Sequence, residues 1–300
     1  MNLKKLLYLL ICTLIPLSSY ADVKQNALDK AAGKITDLIP GKGITEVSIE
    51  VNSETGITTG DGEDKINYSI LGVRDLESTS MSNFFTQFSL MNQEINSDDR
   101  VIGNLGFGYR KLSDEKNFMY GVNTFYDRDL TEGQSRIGLG LEAKGSILDA
   151  NINIYEAMVK NKVVKGINEQ VLSGWDYNLT TQIPKAPWAR FNYNGYSWQA
   201  DKASTDNDGS IYSLELDVTK SIEITTSFNE SNSDSIEDVY STKINYIYPP
   251  KENLMVMTDG LSADFFEKRN MEHKLREKVK RQNKLSMEVQ GSVILTKAAN

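Results

Sequence analysis

The sequence predicts an all-β protein: a transmembrane antiparallel β-barrel of about twelve strands, with a short N-terminal helix and a C-terminal helix in the pore. Three observations carry this expectation. An export signal opens the chain. Apolar and polar side chains then alternate with period two over segments about ten residues long, and aromatic residues recur near the segment ends.

Lys4 and Lys5 form a charged start, Leu6–Leu17 an apolar core, and Ser19-Tyr20-Ala21 a small-residue processing site, so cleavage is expected between Ala21 and Asp22. The apolar core is about a dozen residues long, whereas a helix needs roughly 20 to cross a bilayer. The one cysteine, Cys12, leaves with the signal, so neither disulfides nor a thiolate metal site are expected afterwards. A net charge of −8 argues against a nucleic-acid partner. It fits a soluble secreted protein as well as a barrel, whose strands are apolar on one face only.

Periodicity decides between the two. In Arg136–Lys144, Ile137, Leu139, Leu141 and Ala143 share one face, while Arg136, Gly138, Gly140, Glu142 and Lys144 share the other. Val101, Leu105, Phe107 and Tyr109 oppose Asn104, Gly106, Gly108 and Arg110 in the same way. The pattern predicts strands at 44–51, 65–75, 81–92, 100–112, 116–129, 133–146, 147–156, 171–182, 187–199, 210–219, 221–229 and 238–248. These are longer than the usual 5–6 residues of globular sheets and suit a tilted membrane crossing. Long connections (around Asn52–Asp64, Gln93–Asp99, Val159–Gln170, Ala200–Ser210 and Asn229–Glu237) alternate with short ones, which places both barrel ends on the short-turn, periplasmic side.

The flanks differ. Residues 22–43 carry Ala27, Leu28, Ala31, Ile35 and Leu38 at helical spacing before Pro40 and Gly41, and are expected as a short periplasmic helix. After Pro249-Pro250, residues 249–300 are expected as a linker, a pore helix and a short tail. Leu261–Leu285 lacks glycine and proline and reads as one helix of about 35–40 Å. Within it, Asp264–Lys284 has eight basic against four acidic residues, so Lys274, Arg276 and Lys278 are expected to face inward carboxylates such as Glu142, Glu215 and Asp217.

Local motifs add a resemblance. Phe85-Thr86-Gln87, Arg100 and Asn104–Arg110 come first. Asn123-Thr124-Phe125-Tyr126-Asp127-Arg128-Asp129-Leu130-Thr131 is next, with Gly133, Arg136, Gly138, Gly140 and Glu142. Last come Trp175-Asp176 and the turn from Pro184 to Pro187. In order and spacing these resemble the translocator barrel of the intimin/invasin inverse autotransporters, across the whole barrel. The resemblance implies twelve strands, a bacterial outer-membrane location and type Ve secretion, in which the barrel anchors and exports a C-terminal adhesin. Implied partners are outer-membrane lipid, the barrel-assembly machinery and periplasmic chaperones. Tyr246-Ile247-Tyr248 is similar to the terminal signal that the machinery reads. Passenger modules of the immunoglobulin kind run to about 100 residues, and Ser286–Asn300 is far shorter, so a barrel without a large passenger, or with one encoded on another chain, is expected. The rival class is a small-solute channel built on the same barrel.

Catalysis, cofactor and metal are not expected. The one histidine, His273, lies among charges in the expected C-terminal helix, whereas a Ser–His hydrolase would need a histidine on the barrel wall facing a serine. Asp127 and Asp129 share a strand face about 7 Å apart, but no further oxygen ligands surround them as in a calcium loop. The glycines of Gly103–Gly108 alternate within a strand with no helix following, unlike a phosphate loop, and are expected to leave room in the lumen.

Overall fold

The alternating segments close into a ring. The computed structural model describes residues 41–53, 65–203, 206–232, 238–252, 254–289 and 292–294. The expected signal peptide, its Ala21–Asp22 site and residues 22–40 of the expected N-terminal helix lie outside the described residues. The strands are β1 (Gly43–Ser53), β2 (Lys65–Ser78), β3 (Ser82–Ile95), β4 (Asp98–Leu112), β5 (Phe118–Asp129), β6 (Ser135–Gly145), β7 (Leu148–Val159), β8 (Asn161–Val164), β9 (Ile167–Val171), β10 (Gly174–Ile183), β11 (Ala186–Trp198), β12 (Asn207–Asp217), β13 (Ile222–Ser231), β14 (Val239–Tyr248), β15 (Met287–Val289) and β16 (Ser292–Ile294). Twelve of them form a closed antiparallel barrel in the order β1-β14-β13-β12-β11-β10-β7-β6-β5-β4-β3-β2. The ring closes between β1 and β14, from Thr45 opposite Tyr248 to Ser53 opposite Tyr240. Closure removes the sheet edge, so main-chain groups of the wall are paired without water.

Side-chain parity follows the sequence. Ile137, Leu139 and Leu141 are exposed on the outer face, and Arg136, Glu142 and Lys144 are buried inside. In β4 the exposed outer residues are Val101, Leu105, Phe107 and Tyr109, while Asn104 and Arg110 point inward. No helix among the described residues is long and apolar enough to cross a membrane. The inward glycines do not leave the lumen open as expected. A Cβ on Gly106 would stand 2.3 Å from the Phe125 ring, and one on Gly108 2.4 Å from the Phe85 ring. Neighbouring rings lie flat in the space that the glycines leave.

One rim carries the short turns, among them those at Lys116 and Lys185, both with positive φ (54° and 62°). The opposite, loop rim carries the longer connections. The connection expected to be long around Gln93–Asp99 is instead a tight turn: β3 runs to Ile95, β4 starts at Asp98, and Asn96 and Ser97 have φ of 51° and 64°. Two consecutive positive φ values are the twist-matched geometry of a two-residue hairpin, which asparagine tolerates well. Over the loop rim, β8 and β9 form a hairpin joined by β15 and β16 into a small sheet of order β16-β15-β9-β8.

The C-terminal segment corrects a second expectation. Leu261–Leu285 is not one helix. It contains a single 3-10 stretch, Met271–Arg276, preceded by another at Met257–Asp259, and is otherwise irregular or extended. It follows the turn rim first: Trp188 Nε1 donates to the Gly260 carbonyl (2.7 Å), Lys185 N to that of Phe265 (2.8 Å), and Met271 N to that of Lys116 (2.8 Å). It then enters the lumen near Leu275 and leaves at the loop rim, where Met287 pairs opposite Val171 of β9. An α-helix with its side chains is about 10–12 Å across, and this lumen is already occupied by wall side chains. Residues 275–286, which leave the 3-10 stretch after Arg276 and run through the pore without helix, are called the strap below.

With 57 % exposure on the outer wall, Leu139 tests the facing directly. Leu139→Arg is expected to cost about 2–4 kcal/mol if it lies near a bilayer midplane, read as lost heat-modifiable gel mobility. Gly140→Ala adds no charge but places Cβ 2.5 Å from the Asn123 and Asn153 side chains, so its defect should appear inside the lumen as a loosened strap. Wild-type assembly of Leu139→Arg would reverse the assignment of faces.

Candidate functional site

The site is the lumen with its strap. β5 builds its centre, because alternation turns Asn123, Phe125, Asp127 and Asp129 inward and Tyr126 outward. Asp127 has no exposed surface and accepts from Arg136 Nε (2.8 Å), Asn104 Nδ2 (2.7 Å) and the strap's Arg281 (2.5 Å). The Arg281 guanidinium also lies 4.2 Å from the Phe125 ring centroid, and that of Arg136 lies 4.3 Å from the ring of Tyr155. Tyr155 donates to Asp176 (2.6 Å), which accepts as well from Asn153 (2.7 Å).

Around this centre the wall bonds the strap's main chain. Arg136 donates to the carbonyls of Gln282 (2.6 Å) and Lys284 (3.0 Å), Asn153 to that of Lys280 (3.1 Å) and Asn104 to that of Asn283 (3.1 Å). Gln87 accepts from Val279 N (2.8 Å), Tyr155 from Gln282 N (2.8 Å), and Gln93 holds Leu285 by both N (2.9 Å) and O (2.7 Å). These bonds replace those that a helix would have made internally, which is why a segment of good helix formers is extended here.

The strap's cations meet the opposite wall. Lys278 pairs with Glu46 of β1 (2.9 Å), Lys284 with Glu50 (2.6 Å) and Lys280 with Glu215 of β12. Nearer the turn rim, Lys274 pairs with Asp149 and Arg276 with Asp75 (2.7 Å). Apolar clusters lie towards each end: Met91, Ile95, Ile102, Val171, Leu285 and Met287 towards the loop rim, and Leu112, Met119, Met271 and Leu275 towards the turns.

The expected site residues therefore divide. Lys274, Arg276 and Lys278 do face inward carboxylates, although from an extended chain. Of the three carboxylates named, Glu215 takes a strap lysine. Glu142 pairs with Arg110 (2.9 Å), whose guanidinium holds the Glu277 carbonyl (2.5 Å), and Asp217 pairs with Arg190 (3.1 Å) and Lys251. Burial opposes the Lys251 charge, but Glu223 and Asp217 outweigh it and hold this ammonium above the ordinary lysine range. Asn123 donates to Glu142 (3.3 Å), Gly138 lies against Tyr155, and Gly140 admits the Asn123 and Asn153 amides. Asp129 binds Arg100 (3.2 Å) and accepts from the main chain of Thr131 and Glu132, while Thr131 Oγ1 accepts from Val101 N and Gly133 takes a positive φ; together they fold the β5–β6 connection. Trp175 is on the outer wall stacked on Tyr177, and Pro184 and Pro187 flank the turn at Lys185.

Sequence reasoning missed Arg281, Gln282 and the wall amides that grip the main chain. A signal existed in Lys278-Val279-Lys280-Arg281-Gln282-Asn283-Lys284-Leu285, where lysine recurs at even positions. His273 meets the Asn270 carbonyl (3.1 Å), and burial pushes its imidazole below the ordinary value, towards the neutral form. Among the described residues no group of three or more His, Cys, Asp or Glu could hold a metal ion.

Asp127→Ala leaves the buried guanidiniums of Arg136 and Arg281 without their carboxylate, which should cost about 3–5 kcal/mol. Asp98→Asn removes the pairing with Lys165, whose side chain is 72 % exposed, and should change stability by less than about 1 kcal/mol. Urea titration of heat-modifiable mobility compares the two. Equal midpoints would remove Asp127 from the centre of the lattice.

A family model described as "Inverse autotransporter, beta-domain" matches residues 17–283. Over 94 residues the chain is 35% identical to the "Putative attaching and effacing protein homolog" of Escherichia coli K12, a match covering 30% of this chain and 32% of that protein. Over 107 residues it is 33% identical to "Invasin" of Yersinia enterocolitica, covering 35% of this chain and 12% of that one. The matched stretch thus spans a third or less of these relatives' lengths. A solved structure described as "Unveiling the Mechanism Behind the in-meso Crystallization of Membrane Proteins" aligns with a TM-score of 0.63 at 16% identity, over 82% of this chain and 99% of that chain. At that identity the likeness is one of fold.

Proposed function

The chain belongs to the inverse autotransporter β-domain family and is a bacterial outer-membrane β-barrel, and from this premise we propose that it passes its own C-terminal segment through the pore and displays it at the cell surface. The observation that carries this reading is the strap's course, from Leu275 at the turn rim to the pairing of β15 with β9 at the loop rim. With the turn rim in the periplasm, both barrel ends lie there and the chain after Val289 lies outside. The relatives' names, invasin and attaching and effacing protein, tie such proteins to invasion and attachment. For this chain we infer surface display of a segment beyond the strap, whether attached or supplied by another chain. Insertion would rely on the barrel-assembly machinery, with Tyr246-Ile247-Tyr248 as the terminal signal, after escort by periplasmic chaperones. A steadily open solute channel suits this lumen less well, because the strap runs through it held by ion pairs and two apolar clusters, although a cavity of about 630 Å³ remains towards the turn rim between Glu46, Asp149, Arg190, Glu215, Glu223 and Lys278. No catalytic role is proposed.

A tag placed after Asn300 should be labelled on intact cells. Deleting residues 257–300 should raise single-channel conductance and sensitivity to large antibiotics. A tag reached only after permeabilisation, with conductance unchanged by the deletion, would contradict the proposal.

A further inference from the structure

Wall and strap touch in two ways, on opposite sides. On the side of β3 to β7 the wall reads mostly main chain, with Arg281 on Asp127 as its charged contact: Gln87 takes Val279 N, Tyr155 takes Gln282 N, Gln93 brackets Leu285, and Arg136 holds the carbonyls of Gln282 and Lys284. Nearly every amino acid offers these groups, proline alone lacking the N–H. On the side of β1 and β12 the wall reads charge. Glu46 faces Lys278, Glu215 faces Lys280, and Glu50 faces Lys284, all even positions that an extended chain turns the same way.

We propose that the lumen is a binding track for extended polypeptide of general sequence, and that its inward carboxylates, Glu46, Glu50 and Glu215 with Asp127 opposite, select the register at which a segment with lysines at alternate positions and an arginine between them comes to rest. This rests on the reading that the C-terminal segment is carried through the pore, and adds which polypeptide the pore accepts and where it stops. Segments without these cations meet only the main-chain contacts and move on. A slip by one residue turns the lysines to the wrong wall. A slip by two keeps the parity but brings Gln282 or Ser286 opposite Glu50, leaving a buried carboxylate without its cation. The lattice around Lys278–Lys284 therefore has one satisfied register.

The test uses the full chain in the outer membrane with Leu71→Cys and Val279→Cys, whose native side chains share one apolar cluster, and reads the 71–279 cross-link. With the lysines intact the cross-link should form in nearly all assembled chains. Lys278→Thr, Lys280→Thr, Arg281→Thr and Lys284→Thr together should keep the pore occupied but make neighbouring registers comparable, so that its yield falls to about a third or less. The three Lys→Arg changes with Arg281 kept should restore it. Heat-modifiable mobility checks that each variant folds. An unchanged yield in the threonine variant would assign the register to other contacts, and loss of the strap from the pore would show that these cations hold it rather than select its position. Either result overturns the proposal. If instead a tag after Asn300 is unreachable in the parent chain, the export reading fails while the cross-link still reports on the track.

Discussion

Asp127 lies fully buried between Arg136 of the wall and Arg281 of the strap, and much of the lumen's order depends on that arrangement. A buried pair adds little net stability over an apolar packing, yet losing one partner is costly, because the other charge is left in a medium that cannot solvate it. Arg281 is thus required by the wall as much as it requires the wall. Through Arg136 the same centre reaches the carbonyls of Gln282 and Lys284, and through Tyr155 it reaches Asp176. The apolar cluster towards the loop rim reduces access of water to the lattice from that side, which strengthens the attractions beneath it.

The strap's conformation follows from the same constraint. A helix would satisfy its own main chain and present its charges all around, while the wall's buried amides and guanidiniums would lose their acceptors. An extended chain answers both needs at once, giving its main chain to Gln87, Gln93, Asn153 and Arg136 and its even-numbered lysines to Glu46, Glu50 and Glu215. At the loop rim the exit is fixed by strand pairing and by Glu288, which accepts from the main chain of Asp201 and Lys202. The hairpin beneath is tied to the wall through Arg100 and Glu169 (2.6 Å).

The barrel was legible from sequence because one physical rule governs it: lipid on one face and a polar lumen on the other impose period two, as in Ile137, Leu139 and Leu141 against Arg136, Glu142 and Lys144. Strand ends were less so, since β3 and β4 run on to a two-residue turn where polar composition reads as a loop. The strap was misjudged because Leu261–Leu285 is rich in good helix formers and intrinsic propensity carries no knowledge of the wall that surrounds it. Parity shows which residues point inward, but not which of them meet across a lumen. The partnership of Asp127 with Arg281, 154 positions apart, was therefore beyond reach, while the inward position of Asp127 was not. The hairpin sheet formed by β8, β9, β15 and β16 was hidden for a similar reason, as its short strands carry too little pattern to stand out from loop.

The most direct test of an extended strap is the distance between spin labels at Glu277 and Ser286, measured by pulsed electron–electron resonance in the membrane-embedded protein. Nine residues in extended conformation span about 30 Å, and the same nine in an α-helix span about 14 Å. A single narrow distribution near the longer distance is the result this account predicts. A dominant population near the shorter one would contradict it, and with it the main-chain grip on which the description of the lumen depends.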